Sequence, residues 1–187
     1  MIGLYIGLAV LAVLVVAAIF VFNRLVQKRQ MVSNGWADID VQLKRRADLI
    51  PIIVTSVQGY AAHERDLFEE VVAKRNAAVQ AGDDPATRSA AESALARPMT
   101  KLLAVAEDYP DLKASQNFLD LQDELSDTEN KIEMARRFYN GAVRELNIAV
   151  QSFPANLIAG LFSFAKAAFF EIETADRALP DLNLGAN

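Results

Sequence analysis

Residues 115–152, SQNFLDLQDELSDTENKIEMARRFYNGAVRELNIAVQS, decide the fold. With Phe118 placed at heptad position a, that position recurs as Leu125, Ile132, Tyr139, Leu146 and Phe153, while position d reads Leu121, Thr128, Ala135, Ala142 and Ala149. This alternation of three and four, held over about five heptads, is the pattern of a helix packed along a left-handed seam. Alanine at the last three d positions lets a neighbouring helix come close. Gly141 lies off the seam, and nothing in the sequence explains its helix cost of about 1 kcal/mol relative to alanine. Pro154 marks the stop.

Working towards the N-terminus, a second seam starts at Leu25, with Val32, Ile39, Arg46, Ile53 and Tyr60 at a and Arg29, Trp36, Leu43, Ile50 and Val57 at d. Pro51 removes one rung of the hydrogen-bond ladder and is expected to kink this helix. Gly59-Tyr60 is a place for it to end, yet the apolar set Leu67, Phe68, Val71, Val72, Ala78 and Val79 also permits continuation, so bend and turn both stay open. Gly82-Asp83-Asp84-Pro85 is a break, with Asp84 as N-cap and Pro85 at the first helical position. The next helix runs to about Ala106 on Ala91, Ala94, Leu95, Leu102, Leu103 and Val105, with Pro98 as a local defect, and Tyr109-Pro110-Asp111 turns the chain. Short connections between long helices imply antiparallel neighbours in a bundle.

Residues 1–22, MIGLYIGLAVLAVLVVAAIFVF, contain no charged side chain and are followed at once by Asn23-Arg24. A helix of that length rises about 33 Å, enough to cross a hydrocarbon core of about 30 Å. A cleaved signal peptide would carry a basic start, a shorter apolar run and small residues at its end. Here Ile19, Phe20, Val21 and Phe22 close the run, so it reads as a retained anchor. The second seam begins almost immediately afterwards, and anchor and first bundle helix read as one continuous helix. Arg24, Lys28 and Arg29 flank the span on its C-terminal side, which by the positive-inside rule favours a cytoplasmic body, the alternative being a periplasmic or extracellular one. Trp36, about 21 Å beyond the span along a helix, is too far out for a membrane belt and reads as core.

Charge narrows the functions. Residues 23–50 hold a balance of +3 in a chain of net −5, which leaves −8 on residues 51–187. That acidic body argues against nucleic-acid binding. Arg24, Lys28 and Arg29 suit anionic headgroups, or simply act as stop-transfer residues. With no cysteine and one histidine, His63, thiolate chemistry and multi-imidazole metal sites are excluded. His63 sits in what reads as a polar helical stretch, Ala62–Asp66. Glu124, Asp127, Glu129 and Glu133 read as a solvated acidic face, and no Glu-x-x-His pair, phosphate loop or nucleophile elbow occurs. Catalytic, cofactor-binding and metal residues are therefore assigned to none, and no cofactor is implied.

Two features call for partners. Arg46 falls on a core position, where it needs a carboxylate from Asp123-Glu124 or Asp127–Glu129, with Thr128 completing a polar, register-setting layer; the alternative is that it snorkels to the bundle edge. Residues 146–165 form a second uncharged run whose Asn147, Gln151, Pro154 and Asn156 make it a poor span. Its large residues from Leu157 to Phe164 are expected to cap the core, the alternatives being an attachment in the membrane interface or on a partner.

NGWADIDVQLKRRADLIP (34–51), AEDYPDLKASQNFLDLQDELSDTENKIEMARRFYNGAV (106–143) and FPANLIAG from Phe153 strongly resemble the bacterial LemA family. The resemblance covers nearly the whole chain. It implies a membrane-anchored, all-helical bundle with no established enzymatic activity, in a family with a relative used in building magnetosome membranes. Departures are Gly35 in place of the usual Ala, Ala47 in place of a polar residue, Ile52 in place of Asn, and Ala167 in place of Pro. The last suggests a more helical link from Phe164 to Phe170.

The sequence thus predicts an all-α protein: a transmembrane helix (1–23), an elongated antiparallel bundle of three to four long helices (24–170), and a C-terminal tail (171–187) frayed from Asp181. The expected role is a single-pass scaffold of the bacterial inner membrane, not an enzyme. It would contact the bilayer through residues 1–22, possess surfaces for self-association and bind no nucleic acid. The alternative is a regulatory adaptor presenting the acidic bundle to a membrane protease or sensor.

Overall fold

A computed structural model describes residues 1–171; the tail expected beyond them lies outside the described residues. Six helices follow in order: α1 (Ile2–Gln58), α2 (Arg65–Gln80), α3 (Pro85–Glu107), α4 (Pro110–Lys113), α5 (Gln116–Gln151) and α6 (Ala155–Leu161). No strand occurs among the described residues. The described residues form two compact units, one from Met1–Arg46 with Leu125–Phe169, the other from Ala47–Glu124 with Phe170 and Glu171.

In the first unit the two expected seams meet. Arg46 pairs with Glu129, Trp36 stacks on Tyr139 and Lys28 pairs with Glu145, so the partner number rises as the first falls: the two stretches run antiparallel. Leu25, Ile39 and Leu43 are buried from one side, Leu125, Ile132, Tyr139 and Leu146 from the other. The seam needs a close approach at Gly35, where an added Cβ would lie 3.0 Å from Phe138 Cδ1 and 3.1 Å from Tyr139 Cα. Gly141 has open space around it, so its presence in α5 stays without a packing reason. Phe153 leaves the expected a series. It follows the end of α5 and is exposed.

In the second unit Ile50, Ile53, Val54 and Val57 of α1 are buried, as are Phe68, Val71 and Ala78 of α2, and α2 packs on α3. α1 continues through Pro51 to Gln58. Proline cannot donate to the carbonyl four residues earlier. That carbonyl, of Ala47, instead accepts from Arg75 Nε of α2 at 2.8 Å, so the missing rung is replaced by a charged donor. The choice left open at Gly59 resolves as a turn, with α2 starting six residues later; His63 and its neighbours Ala61–Glu64 lie in that turn, not in a helix. The Asp84 carboxylate caps α3 by accepting from Thr87 N at 2.8 Å and Thr87 Oγ1 at 2.7 Å. Pro98 is accommodated inside α3, and the turn expected at Tyr109–Asp111 opens the short α4.

The link from Phe164 to Phe170 is not helical, contrary to the expectation from Ala167. The Asn147 amide explains why. Its Nδ2 donates to Ala167 O at 3.0 Å and its Oδ1 accepts from Ala167 N at 2.9 Å, while Tyr139 Oη donates to Ala168 O at 2.8 Å. α5 side chains thus satisfy backbone groups that a helix would have paired internally.

Candidate functional site

The features that point outward gather where the apolar part of α1 meets α6. From Met1 to Phe20 every residue is exposed except Ala18, and the most apolar window of α1 has a mean hydropathy of 3.0. This part of α1 is long and apolar enough to cross a membrane. Burial begins at its end. Val21, Phe22 and Val26 are half-buried around a core of Leu25, Ala159 and Phe164, joined by Ile158, Ala149 and Val150. The Phe22 ring meets Phe162 edge-on at 4.8 Å and Phe164 at 5.6 Å between centroids. The last turn of the apolar run is therefore part of the packed unit.

The basic residues flanking the span have distinct surroundings. Arg24 is exposed. The Lys28 ammonium donates to Glu145 Oε2 at 2.8 Å, and this hydrogen bond, reinforced by the Lys28 charge, holds the Glu145 carboxyl below its usual range. The Arg29 guanidinium lies 5.0 Å from the centre of the Phe164 ring, a cation–π distance. Beside them a cleft of about 370 Å³ opens between α1 and the α5–α6 turn; Phe20, Val21, Ile148, Ala149, Phe153 and Pro154 make most of its wall, and Arg24 and Lys28 also line it.

The run from Leu157 to Phe164 does only half of the capping expected of it. Ala159 and Phe164 are buried, but Phe153 is 80% exposed, Leu157 63%, Leu161 75% and Phe162 53%.

Away from this region, three acidic residues of α5 are tied to bases. Arg46 Nη1 lies 3.0 and 3.2 Å from the two Glu129 oxygens, as the polar-layer reading expected, and Thr128 is buried. Asp127 accepts from Lys131, which lowers its pKa, and Glu133 pairs with Arg137. Among the described residues no group of three His, Cys, Asp or Glu side chains is placed to hold a metal. Trp36 is half-buried on Tyr139 at 5.5 Å.

Two features escaped the sequence reading. Asn147 reads in the sequence as a polar interruption, and an amide inside an uncharged run is also what a buried backbone clamp requires. In α3, Arg88, Glu92, Leu95, Met99, Leu102 and Ala106 are all buried and follow a four-three spacing; the first two form an ion pair at 3.1 Å. Leu95 and Leu102 belong to the expected apolar set, whereas Arg88 and Glu92 continue the same period without an apolar side chain to mark it.

The profile of the LemA family matches residues 35–184. The chain belongs to the LemA family. Among curated relatives, Magnetosome protein MamQ 2 of Paramagnetospirillum magneticum is 24% identical over 82% of this chain and 66% of its own length. Magnetosome protein MamQ of Magnetospirillum gryphiswaldense is 21% identical over the same shares. Protein LemA of Metamycoplasma hominis is 24% identical over 83% of this chain and 71% of its own. The chain spans just under two thirds of the length of the MamQ relatives. The matched LemA region begins at Gly35, inside α1, and takes in the antiparallel seam from that point, residues 47–124 and α6.

Proposed function

We propose that this LemA protein is a single-pass membrane-anchored helical scaffold, acting by protein–protein contact in the organisation of a bacterial membrane, without catalysis. One observation carries the reading: an uncharged helical stretch, exposed from Met1 to Ala17, runs without a break into a packed helical unit. An apolar surface of that extent calls for an apolar phase around it. Retention of the span is supported by Val21 and Phe22, because cleavage at the end of the run would strip α6 and Phe164 of their packing partners. Arg24 and Arg29 favour a cytoplasmic body by the positive-inside rule. The magnetosome relatives are in keeping with a role in membrane organisation.

Self-association is part of the proposal. Met134, Phe138 and Ile148 form an exposed apolar set on α5, and Val41 is exposed on α1. The test is the mass of the full chain in mild detergent by light scattering, with crosslinking in cells through the exposed Lys44. A scaffold gives a defined oligomer when purified alone, reduced to monomer by Met134→Glu. A strict monomer that co-purifies with one partner would favour the adaptor instead.

A further inference from the structure

We infer that α6 and the turn before it form a second lipid-contacting element, lying in the surface of the same leaflet from which α1 emerges. The inference rests on the anchoring reading and adds a site to it.

Height comes first. A span that starts near Ile2 and rises 1.5 Å per residue uses up a hydrocarbon core of about 30 Å close to Phe22. The α1 side chains that cluster with α6 and Phe164 are Val21, Phe22, Leu25 and Val26, within about one turn of that boundary, while Arg29, about 10 Å beyond it, reaches only the Phe164 ring. α6 is therefore held at the level where acyl chains give way to headgroups.

Chemistry comes second. One side of α6 is used internally, through Ile158 and Ala159. Leu157 and Leu161 lie four residues apart on the other side, and with Phe153 in the turn before α6 they are among the most exposed large apolar residues outside the span. Residues 146–165 bring no charge to that surface. It is continuous with the span: Phe20 and Phe153 line the same cleft, and Phe162 sits against Phe22. Arg24, exposed one turn beyond Phe20, supplies a cation at headgroup level. An apolar face at the interface with basic residues beside it is the arrangement of an in-plane membrane helix. The occupant is thus the bilayer already gathered around the span, whose acyl chains also fill the mouth of the cleft.

The cysteine-free chain makes the test clean. Single cysteines replace Leu157 and Leu161, with Leu14 in the span and the exposed Asp123 on α5 as references, each carrying a nitroxide in the full chain. The protein is reconstituted into vesicles of phosphatidylcholine with a minor share of phosphatidylglycerol, and collisions with oxygen and with a water-soluble nickel chelate are compared. The expected result is an oxygen-to-nickel ratio at both α6 positions several-fold above that at Asp123 and approaching that at Leu14. Ratios at Leu157 and Leu161 equal to Asp123, with Leu14 still lipid-like, overturn the inference and leave the anchor intact. Protection from both reagents overturns it in favour of a protein cover such as a second copy. A water-like Leu14 overturns the anchor and the inference together. Circular dichroism of each labelled chain checks that the helices persist, as exposed positions allow.

Discussion

Gly35 and Gly141 show how two glycines in long helices carry opposite consequences. Around Gly141 there is room for a methyl group, so Gly141→Ala is expected to stabilise the protein by about 1 kcal/mol, the intrinsic difference between the two residues in a helix. At Gly35 the same methyl would press on the Tyr139 backbone, and Gly35→Leu would force the seam apart, costing about 1–3 kcal/mol as overpacking does. Thermal melts in detergent check both; a neutral Gly35→Leu would mean that the crossing has room for a larger side chain. The Arg46–Glu129 pair invites a more measured reading. Arg46 is 8% exposed, but Glu129 is 47% exposed, so water can solvate the carboxylate when the guanidinium is gone. Arg46→Leu is thus expected to cost only about 1 kcal/mol, well below the roughly 3–5 kcal/mol of breaking a fully buried pair. Its larger effect is on register, which a zero-length crosslink between Lys28 and Glu145, 2.8 Å apart, reports directly. Undiminished crosslinking in Arg46→Leu, with an unchanged melting temperature, would leave Arg46 no register role.

Among the elements, α1 owes its passage through Pro51 to a residue of α2. Arg75→Met strands the Ala47 carbonyl, already deprived of its helical donor, at an expected cost of about 1.5–3 kcal/mol. Pro51→Ala restores that donor, so the loss from Arg75→Met in the Pro51→Ala background is expected to be smaller by about 1 kcal/mol. Additive losses in this double-mutant cycle would show that Arg75 acts through its other partners, Asp48 at 3.7 Å and Asn76 at 3.1 Å. The start of α3 supplies a pH dependence. The Thr87 hydroxyl, then its backbone N–H, hold the Asp84 pKa below the ordinary 3.8. A folded pKa below the unfolded one means the cap stabilises fully above that ordinary value, and the contribution is lost as pH falls through the lowered one. Asp84→Asn keeps an acceptor and is expected to melt within a few degrees of the parent at pH 7, but with a shallower decline below about pH 4. Parallel pH profiles for the two would remove the cap from the acid response. These elements also show what the sequence could reveal. Apolar period locates α5 and the α1 seam, and the Asp84-Pro85 break locates the cap of α3, each to within a residue or two, because these signals are local in the chain. The Arg75 contact joins residues 28 apart, and the Asn147 clamp residues 20 apart, so neither leaves a local periodicity to read.

For the molecule as a whole, the division between span and folded body does not fall where charge reappears in the sequence. Asn23-Arg24 suggested a boundary after residue 22, yet Val21 and Phe22 belong to the same packed cluster as Leu25, Ala159 and Phe164. The sequence hid this because an apolar residue facing lipid and one facing a protein core are chemically alike. Two truncations separate the possibilities. Removing residues 1–18 keeps the aromatic contacts of Phe22 with Phe162 and Phe164, whereas removing residues 1–23 exposes both rings together with Leu25. Each half-buried aromatic or aliphatic side chain that loses its cover forfeits about 1–2 kcal/mol, so the shorter chain is expected to melt lower by roughly 2–4 kcal/mol of stability. It is also expected to bind more of an apolar dye, with α6 the first element to exchange its amide protons. Both forms are compared in the same mild detergent, so that residual apolar surface from Ile19 and Phe20 does not decide the outcome. Equal melting and equal exchange in α6 would place the boundary after Phe22 again and make the Phe22 contacts incidental. A difference confined to α6 and the segment after it would instead mean that the last turn of the span is a structural part of the body, which any soluble version of this LemA protein must retain.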